Sequence, residues 1–148
     1  MENAMEILKL GDKVLTQKAK RVANVDDTIR TLCFSMINAM LKNEGIGLAG
    51  NQVGVLKRII VVLDNEIPKV LINPEIVEFS QTTCDFEEGC LSIPETYIKI
   101  NRPETIKVKY RDTKGKPRLE TYSGLTSRVI QHEIDHLDGV LMVEYEKI

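Results

Sequence analysis

The stretch "SGLTSRVIQHEIDHLDG", residues 123–139, contains both histidines of the chain. Within it, Leu125, Val129, His132 and His136 are 4, 3 and 4 residues apart. That spacing places the four side chains on one face of an α-helix. We therefore expect a helix that begins near the first serine of the stretch, ends at its last glycine, and turns two imidazoles toward the interior.

The rest of the chain combines a second helix with several short strands. Residues 27–42 repeat apolar side chains at helical spacing, and an aspartate at position 26 or 27 supplies an N-cap. The predicted inward face of this N-terminal amphipathic helix consists of Ile29, Leu32, Cys33, Met36, Ile37, Met40 and Leu41. Strands are predicted over residues 58–63, 69–74, 104–112 and 118–122. The expected fold class is α+β, with antiparallel strands around the histidine-bearing helix.

Length and composition describe one ordinary domain. The 148 residues are 43% hydrophobic and 28% charged, which is typical neither of a disordered chain nor of a membrane protein. A net charge of −2 supplies no basic field for nucleic acid. The first ten residues lack the basic region of a signal peptide, and the three cysteines fit a reducing compartment. We predict a single catalytic domain over residues 1–148, located in the cytoplasm.

The histidine spacing predicts a metal site. Positions i and i+4 share a helix face, so His132 and His136 can reach one ion, while Glu133 lies beside that ion without being a ligand. The alternative is a pair of buried, hydrogen-bonded histidines. A catalytic site of this kind needs a third protein ligand. Asp138 lies too close along the helix to bind the same ion. Glu144 and Glu146 could reach it only by a tight reversal through residues 139–143, which resemble a strand.

The third ligand is therefore expected upstream, and the cysteines are the candidates. Cys90 follows Gly89 in "EEGCLSIP" (87–94), and a thiolate binds divalent transition metals strongly. Cys84 is the rival, although a small buried residue is the simpler interpretation of it. Cysteine plus two histidines leaves a fourth position open.

Three segments of the chain, in this order, resemble those that mark the peptide deformylases of bacteria. They are "GIGLAGNQ" (45–52), "EGCLS" (88–92) and "QHEIDH" (131–136), and the opening "ILKLGDKVLTQKAKRV" (7–22) is also similar to the family's N-terminal region. The resemblance implies a small α+β fold around a central metal-binding helix. It also implies an enzyme that removes the formyl group from the initiator methionine of new polypeptides.

The resemblance assigns a role to each matching residue. Cys90, His132 and His136 are implied as metal ligands, and Glu133 as the catalytic acid/base. Attack by metal-activated water would produce an oxyanion, and the Gln52 side chain and the Leu91 N–H are implied as its hydrogen-bond donors. The substrate pocket is expected to involve Ile46, Gly47, Leu125 and Val129.

The cofactor and partners follow from the same resemblance. One divalent metal ion per chain is expected: Fe²⁺ first, with Zn²⁺, Ni²⁺ or Co²⁺ as alternatives. The partners would be N-formyl-methionyl nascent peptides and the ribosome near its exit tunnel, with no membrane and no specific nucleic-acid binding.

Flanking charges suggest further interactions. We expect Glu44 and Arg102 to pair as a brace. Glu87 and Glu88 either orient the metal ligands, with Glu88 favoured because the family's motif includes it, or form a solvated acidic turn.

Two other function classes fit parts of the pattern. A zinc peptidase of the HExxH class shares the helix motif, but its third ligand normally lies downstream of the second histidine. A non-catalytic, metal-stabilised binding module would have four protein ligands and no use for Glu133.

Overall fold

A five-stranded antiparallel sheet forms the centre of the molecule, with the strand order β1-β2-β3-β6-β7. The structure, a computed structural model, describes residues 5–146. The strands of this sheet are β1 (Gly47–Ala49), β2 (Ile59–Asp64), β3 (Ile67–Phe79), β6 (Thr105–Arg111) and β7 (Pro117–Ser123). A separate antiparallel hairpin consists of β4 (Thr83–Cys90) and β5 (Ile93–Pro103). The two helices are α1 (Asp27–Lys42) and α2 (Gly124–Leu137).

The side chains of β2 point alternately toward the two helices, which lie on opposite faces of the sheet. Ile59 and Val61 pack in the apolar cluster that contains α1, whereas Ile60 and Val62 pack in the cluster that contains α2. Successive side chains of a strand point to opposite faces of its sheet. The sheet therefore lies between α1 and α2, and all four of these side chains are fully buried.

Both helices begin as the sequence predicts locally. The side chain of Asp26 accepts a hydrogen bond from the Ile29 N–H at the start of α1, which satisfies one of the free N–H groups of the first turn. Ser123 is the N-cap residue of α2, and Gly139 follows the helix with a φ of 76°. Only glycine adopts that left-handed conformation without strain.

The hairpin β4–β5 was not predicted, and the sequence of β4 carries no alternating apolar pattern. Within β4, Glu88 is the only fully buried residue. The other strand contributes Ile93, Ile98 and Ile100 to a third apolar cluster, which also contains Met142. The hairpin thus attaches to the molecule through one face of β5 and through polar contacts of β4.

The α+β class and the antiparallel strands are confirmed, but three local predictions are wrong. Residues 139–143 do not form a strand, because the chain reverses tightly after α2 into a 3-10 helix, Met142–Glu146. Leu41 on α1 and Leu125 on α2 are about half exposed rather than inward, with 46% and 55% of their surface accessible. Leu41 lies in the last turn of α1, and Leu125 lies in the first turn of α2.

Among residues 5–146, no helix combines the length and the apolar character needed to cross a bilayer.

Candidate metal centre and its cavity

Two elements bring three metal-binding side chains together. Helix α2 presents His132 and His136 from successive turns, and the end of β4 presents Cys90. One ligand atom from each of the three lies within 4.8 Å of the others, and the Cys90 Sγ is 3.3 Å from the His136 Nε2. Both histidines are buried and the cysteine is half-buried.

These spacings fit a small transition-metal ion. In a tetrahedral site with bonds of about 2.3 Å to sulfur and about 2.0–2.1 Å to nitrogen, the sulfur and nitrogen atoms lie about 3.5 Å apart. The distance between the Cys90 Sγ and the His136 Nε2 is close to that value. The donor set, one thiolate and two imidazoles, suits zinc or ferrous iron.

The orientation of His132 is fixed by Glu88. The Nδ1 atom of His132 is 2.9 Å from the Glu88 Oε1. Burial opposes ionisation of Glu88, but hydrogen bonds from His132 and Arg102 outweigh it and lower the pKa of this carboxyl to about 2. An ionised carboxylate can only accept, so the Nδ1 of His132 carries the hydrogen and donates. Burial opposes the charge of His132, but its hydrogen bonds with Cys90 and Glu88 outweigh burial and raise its pKa to about 10. A metal ion at Nε2 would replace the proton there, while Nδ1 keeps its hydrogen bond to Glu88.

His136 has no such partner. Its Nδ1 is buried without a hydrogen bond, while its Nε2 points to Cys90. Burial, together with the charge of the neighbouring His132, lowers the pKa of His136 to about 3. The ring is therefore neutral near pH 7, which is the form that binds a metal ion.

Glu133 lies next to the three ligands as a buried carboxyl group with an unsatisfied atom. Its Oε1 is buried and has no hydrogen-bond partner, and only 4% of the residue is accessible. Burial raises the pKa of Glu133 to about 7, because desolvation outweighs the attraction of the His132 charge. A Cβ atom at Gly47 would approach the Glu133 Oε2 to 2.6 Å, so only glycine fits beside this carboxyl. A carboxyl with this pKa can both accept and donate a proton near neutrality.

The Gln52 side chain also lies next to the cluster of Cys90, His132 and His136, and it comes from a different element of the fold. It lies in the 3-10 helix that follows β1, where its Oε1 accepts a hydrogen bond from the Ala49 N–H at 2.9 Å. Its Nε2 is 3.1 Å from the Ser92 Oγ and 3.5 Å from the Cys90 Sγ. The amide is therefore held with its donor end toward the cysteine. Leu91 follows Cys90 in the turn between β4 and β5.

Glu88 is the acceptor at the centre of a buried ionic network. Arg102 donates to both of its oxygens, at 2.5 and 2.9 Å, and Arg128 donates to one of them at 2.7 Å. Arg102 also pairs with Asp135 at 3.0 Å and contacts Tyr145. The network therefore joins β4, β5 and α2 behind His132, a candidate metal ligand.

A cavity of about 540 Å³ opens in front of the cluster. Its walls include Cys90, His132, Glu133, Gln52 and Leu91. The four residues expected at the substrate also line it: Ile46, Gly47, Leu125 and Val129. Gly47 and Val129 are buried in the wall, whereas Ile46 and Leu125 are about half exposed. A volume of this size accommodates a short peptide segment.

Two expectations about the surroundings of the site are wrong. Arg102 pairs with Glu88 and Asp135 and not with Glu44, which lies at the wall of the cavity. Cys84 is exposed rather than buried, and it is not part of the metal-binding cluster. Cys84 and Arg102 both belong to the β4–β5 hairpin, which was not predicted. The register of its two strands decides which groups their side chains face.

Arg128 is a site residue that the sequence analysis missed. Besides Glu88 it donates to the Ile100 carbonyl at 2.9 Å and to the Cys84 carbonyl at 2.5 Å, so it attaches both strands of the hairpin to α2. A signal was present, because Arg128 lies four residues before His132 and thus on the face predicted to be inward. A charged residue on such a face needs a buried partner.

The comparisons with known proteins agree on one family. The family model for polypeptide deformylase matches residues 4–147. A peptide deformylase from Picosynechococcus sp. is 59% identical over 145 residues, which cover 95% of this chain and 78% of that relative.

Two crystal structures show the same fold. The peptide deformylase from Thermotoga maritima has a TM-score of 0.95 at 41% identity, over 97% of this chain and 98% of that one. A class I type b peptide deformylase from Acinetobacter baumannii with Met-Ala-Ser bound has a TM-score of 0.92 at 34% identity, over 98% of this chain and 99% of that one.

Proposed function

Because the chain belongs to the polypeptide deformylase family, whose members are metal-dependent enzymes, we propose that it removes the formyl group from the initiator methionine of new polypeptides. The reaction hydrolyses a linear amide and releases formate. The observation that carries this proposal is the cluster of Cys90, His132 and His136 with the unpartnered carboxyl of Glu133 beside it.

Cys90, His132 and His136 would hold the metal ion. When bound, a divalent cation supplies Lewis acidity and makes a water molecule acidic enough to act as a nucleophile near neutral pH. Fe²⁺ is our first choice, and Zn²⁺, Ni²⁺ and Co²⁺ also suit a donor set of one thiolate and two imidazoles.

Glu133 acts as the acid/base. Its carboxylate accepts a proton from the attacking water, and the resulting carboxylic acid delivers that proton to the amine that leaves the formyl carbon. A pKa near 7 supports this two-way role, because neither transfer is then strongly uphill. The buried position of Glu133 also keeps bulk water from exchanging the proton between the two steps.

Gln52 and Leu91 stabilise the charge that develops on the formyl oxygen. The Gln52 Nε2 donor end, directed toward Cys90, and the Leu91 N–H would donate to that oxygen. Both lie on elements braced from outside the cavity, so little reorganisation accompanies the reaction. The methionine side chain would occupy the apolar part of the cavity formed by Ile46, Gly47, Leu125 and Val129.

The biological setting is proposed from the same residues. Three free cysteines fit the reducing cytoplasm, where nascent peptides that carry formyl-methionine would be the substrates. We further propose that residues 1–148 act as one catalytic domain that works near the ribosomal exit tunnel. The metal ligands and the cavity wall are formed by α2, by the β4–β5 hairpin and by the segment that follows α1. Because segments distant in the chain form one cavity, they support a single cooperative unit.

Formate release tests the proposed function. Anaerobically prepared protein is assayed with formyl-Met-Ala-Ser, and an N-blocked peptide without a formyl group tests for peptidase activity. We expect formate from the first peptide, no cleavage of the second, and loss of activity together with metal in Cys90→Ala. Cleavage of internal peptide bonds would instead identify an HExxH peptidase, and a metal-loaded protein without any hydrolysis would contradict catalysis.

A further inference from the structure

A short segment near the N-terminus, Leu8–Leu10, lies across two loops of the cavity. The Leu8 N–H donates to the Gln52 carbonyl at 2.7 Å, and the Leu10 N–H donates to the Ser92 carbonyl at 2.8 Å. Between them, the Lys9 ammonium donates to the Leu91 carbonyl at 3.2 Å. Three consecutive residues thus attach the loop of Gln52 to the turn that contains Leu91.

A hydrogen bond inside the protein closes these contacts into a ring. The Gln52 Nε2 donates to the Ser92 Oγ at 3.1 Å, and Ser92 is completely buried. The ring therefore runs from Leu8 to Gln52, across to Ser92, and back through Leu10. A closed ring of this kind restricts the relative motion of the two loops more than any single bond does.

The following residues of the N-terminal region anchor the segment on the rest of the protein. The Gln17 carbonyl accepts a hydrogen bond from the Asn51 side chain at 2.7 Å, and the Ala19 N–H donates to the Leu137 carbonyl at the end of α2 at 2.8 Å. Between these anchors and the ring, Leu15 is completely buried. The segment is consequently a fixed support for the two loops.

From this arrangement we infer that Leu8–Leu10 positions both donors to the reacting carbonyl oxygen, and that Lys9 is a positioning residue for Leu91. The inference rests on the proposed function, which assigns the donor role to Gln52 and Leu91. Lys9 borders the cavity, and its bond to the Leu91 carbonyl holds the peptide group between Leu91 and Ser92. The preceding peptide group, between Cys90 and Leu91, carries the N–H that would donate to the reacting oxygen. The charge of the ammonium strengthens the bond relative to a neutral donor.

Lys9 allows a test that does not endanger folding, because its side chain lies at the surface. In Lys9→Met the aliphatic part of the side chain is retained and only the donor is lost. We expect kcat to fall about 3- to 10-fold while KM, metal content and the thermal midpoint stay unchanged, as expected for the loss of one charge-assisted hydrogen bond. Lys9→Arg supplies a donor of equal charge and should restore most of kcat.

Lys18→Met is the matched control. Lys18 lies in the same N-terminal region and is exposed, and within residues 5–146 its ammonium donates no hydrogen bond. Lys18→Met removes the same charge as Lys9→Met. A fall in kcat that occurs only in Lys9→Met would therefore exclude a long-range charge effect. Hydrogen exchange of the backbone amides in residues 88–93 gives a second reading: it should be faster in Lys9→Met and unchanged in Lys18→Met.

The possible outcomes separate this inference from the proposed function. If the wild type releases formate and Gln52→Ala is impaired, but Lys9→Met equals Lys18→Met in kcat, the positioning role is refuted and the deformylase function stands. A rise in KM alone would also refute it, since Lys9 would then contact the substrate. Failure of the wild type itself to release formate would refute the proposed function, whereas the exchange measurement would still test the support of the turn.

Discussion

Two glutamates in this protein accept several hydrogen bonds each, in very different surroundings. Glu88 lies behind the metal cluster and receives bonds from Arg102, Arg128 and His132. At the edge of the five-stranded sheet, Glu120 receives bonds from Lys69 and from the hydroxyl groups of two tyrosines, Tyr110 and Tyr122. In both cases burial opposes ionisation and the donors outweigh it, so that the pKa of each carboxyl is lowered to about 2.

The difference between them is exposure to water. The Glu88 side chain is 5% accessible and that of Arg102 is also 5%, whereas the Glu120 side chain is 39% accessible and that of Lys69 is 29%. Water and salt weaken the ion pairs of the outer cluster, whereas those of the inner cluster are shielded from solvent. Although the two carboxyl groups have the same pKa, the two clusters contribute differently to stability. The same substitution should therefore have different effects in the two clusters.

The largest effect is expected at a third glutamate, which is buried like Glu88 but lacks its partners. In Glu133→Gln the acid/base is lost, so kcat should fall by about 10²–10⁴ while the metal is retained. Because the neutral amide avoids the cost of ionising a buried carboxyl, whose pKa burial raises to about 7, the thermal midpoint should stay unchanged or rise. Metal analysis, formate release and calorimetry of the same preparation check all three statements. Loss of metal would mean that Glu133 is a ligand.

Glu88→Gln should cause the next largest effect, and mainly in stability. Removal of the carboxylate leaves Arg128 buried without an ionic partner and Arg102 with Asp135 alone, which should lower the free energy of unfolding by about 3–5 kcal/mol. Urea unfolding of the metal-free proteins measures this without interference from metal binding. Glu87→Gln is the control, since Glu87 is the exposed neighbour on the same strand. If the two variants were equally stable, the buried network would not hold the hairpin on α2.

Glu120→Gln should cost much less. The ion pair with Lys69 is solvent-exposed, and such pairs contribute about 1 kcal/mol or less. We therefore expect a small decrease in the free energy of unfolding in the same urea titration, and unchanged formate release because Glu120 does not line the catalytic cavity. A loss comparable to that of Glu88→Gln would contradict the distinction drawn from exposure.

The smallest effect is expected in the pH dependence of the stability difference between the wild type and Glu120→Gln. The pKa of Glu120 is about 2 in the folded protein, below its ordinary value of 4.5. Its contribution to stability is thus fully present above pH 4.5 and is lost as the pH falls toward 2. The gap in thermal midpoint between wild type and Glu120→Gln should narrow over this interval. Metal loss in acid affects both proteins alike, so a gap that widens would contradict the assigned sign.

The parts of the site that could be predicted are those set by local geometry. The spacing of His132 and His136 fixes their relation on any helix, and the Asp26 cap and the Gly139 stop mark helix ends by short-range hydrogen bonding. The strand predicted over residues 104–112 is likewise present, as β6 (Thr105–Arg111). In each case the deciding contacts lie within a few residues along the chain.

What could not be predicted depends on contacts between distant segments. Strand β4 contains a single fully buried residue, Glu88, so no periodic pattern marked it. Without its register, the partners of Arg102 and the role of Arg128 could not be assigned. The contact of Lys9 with Leu91 joins residues 82 positions apart, and only the folded chain brings them together.

X-ray absorption spectroscopy of the anaerobically purified protein tests the central claim most directly, namely that Cys90, His132 and His136 bind one metal ion. For zinc-loaded protein we predict one sulfur scatterer at about 2.3 Å and two imidazole nitrogens at about 2.0–2.1 Å. A first shell without sulfur in the wild type, or with two sulfurs, would contradict the site and the function built on it.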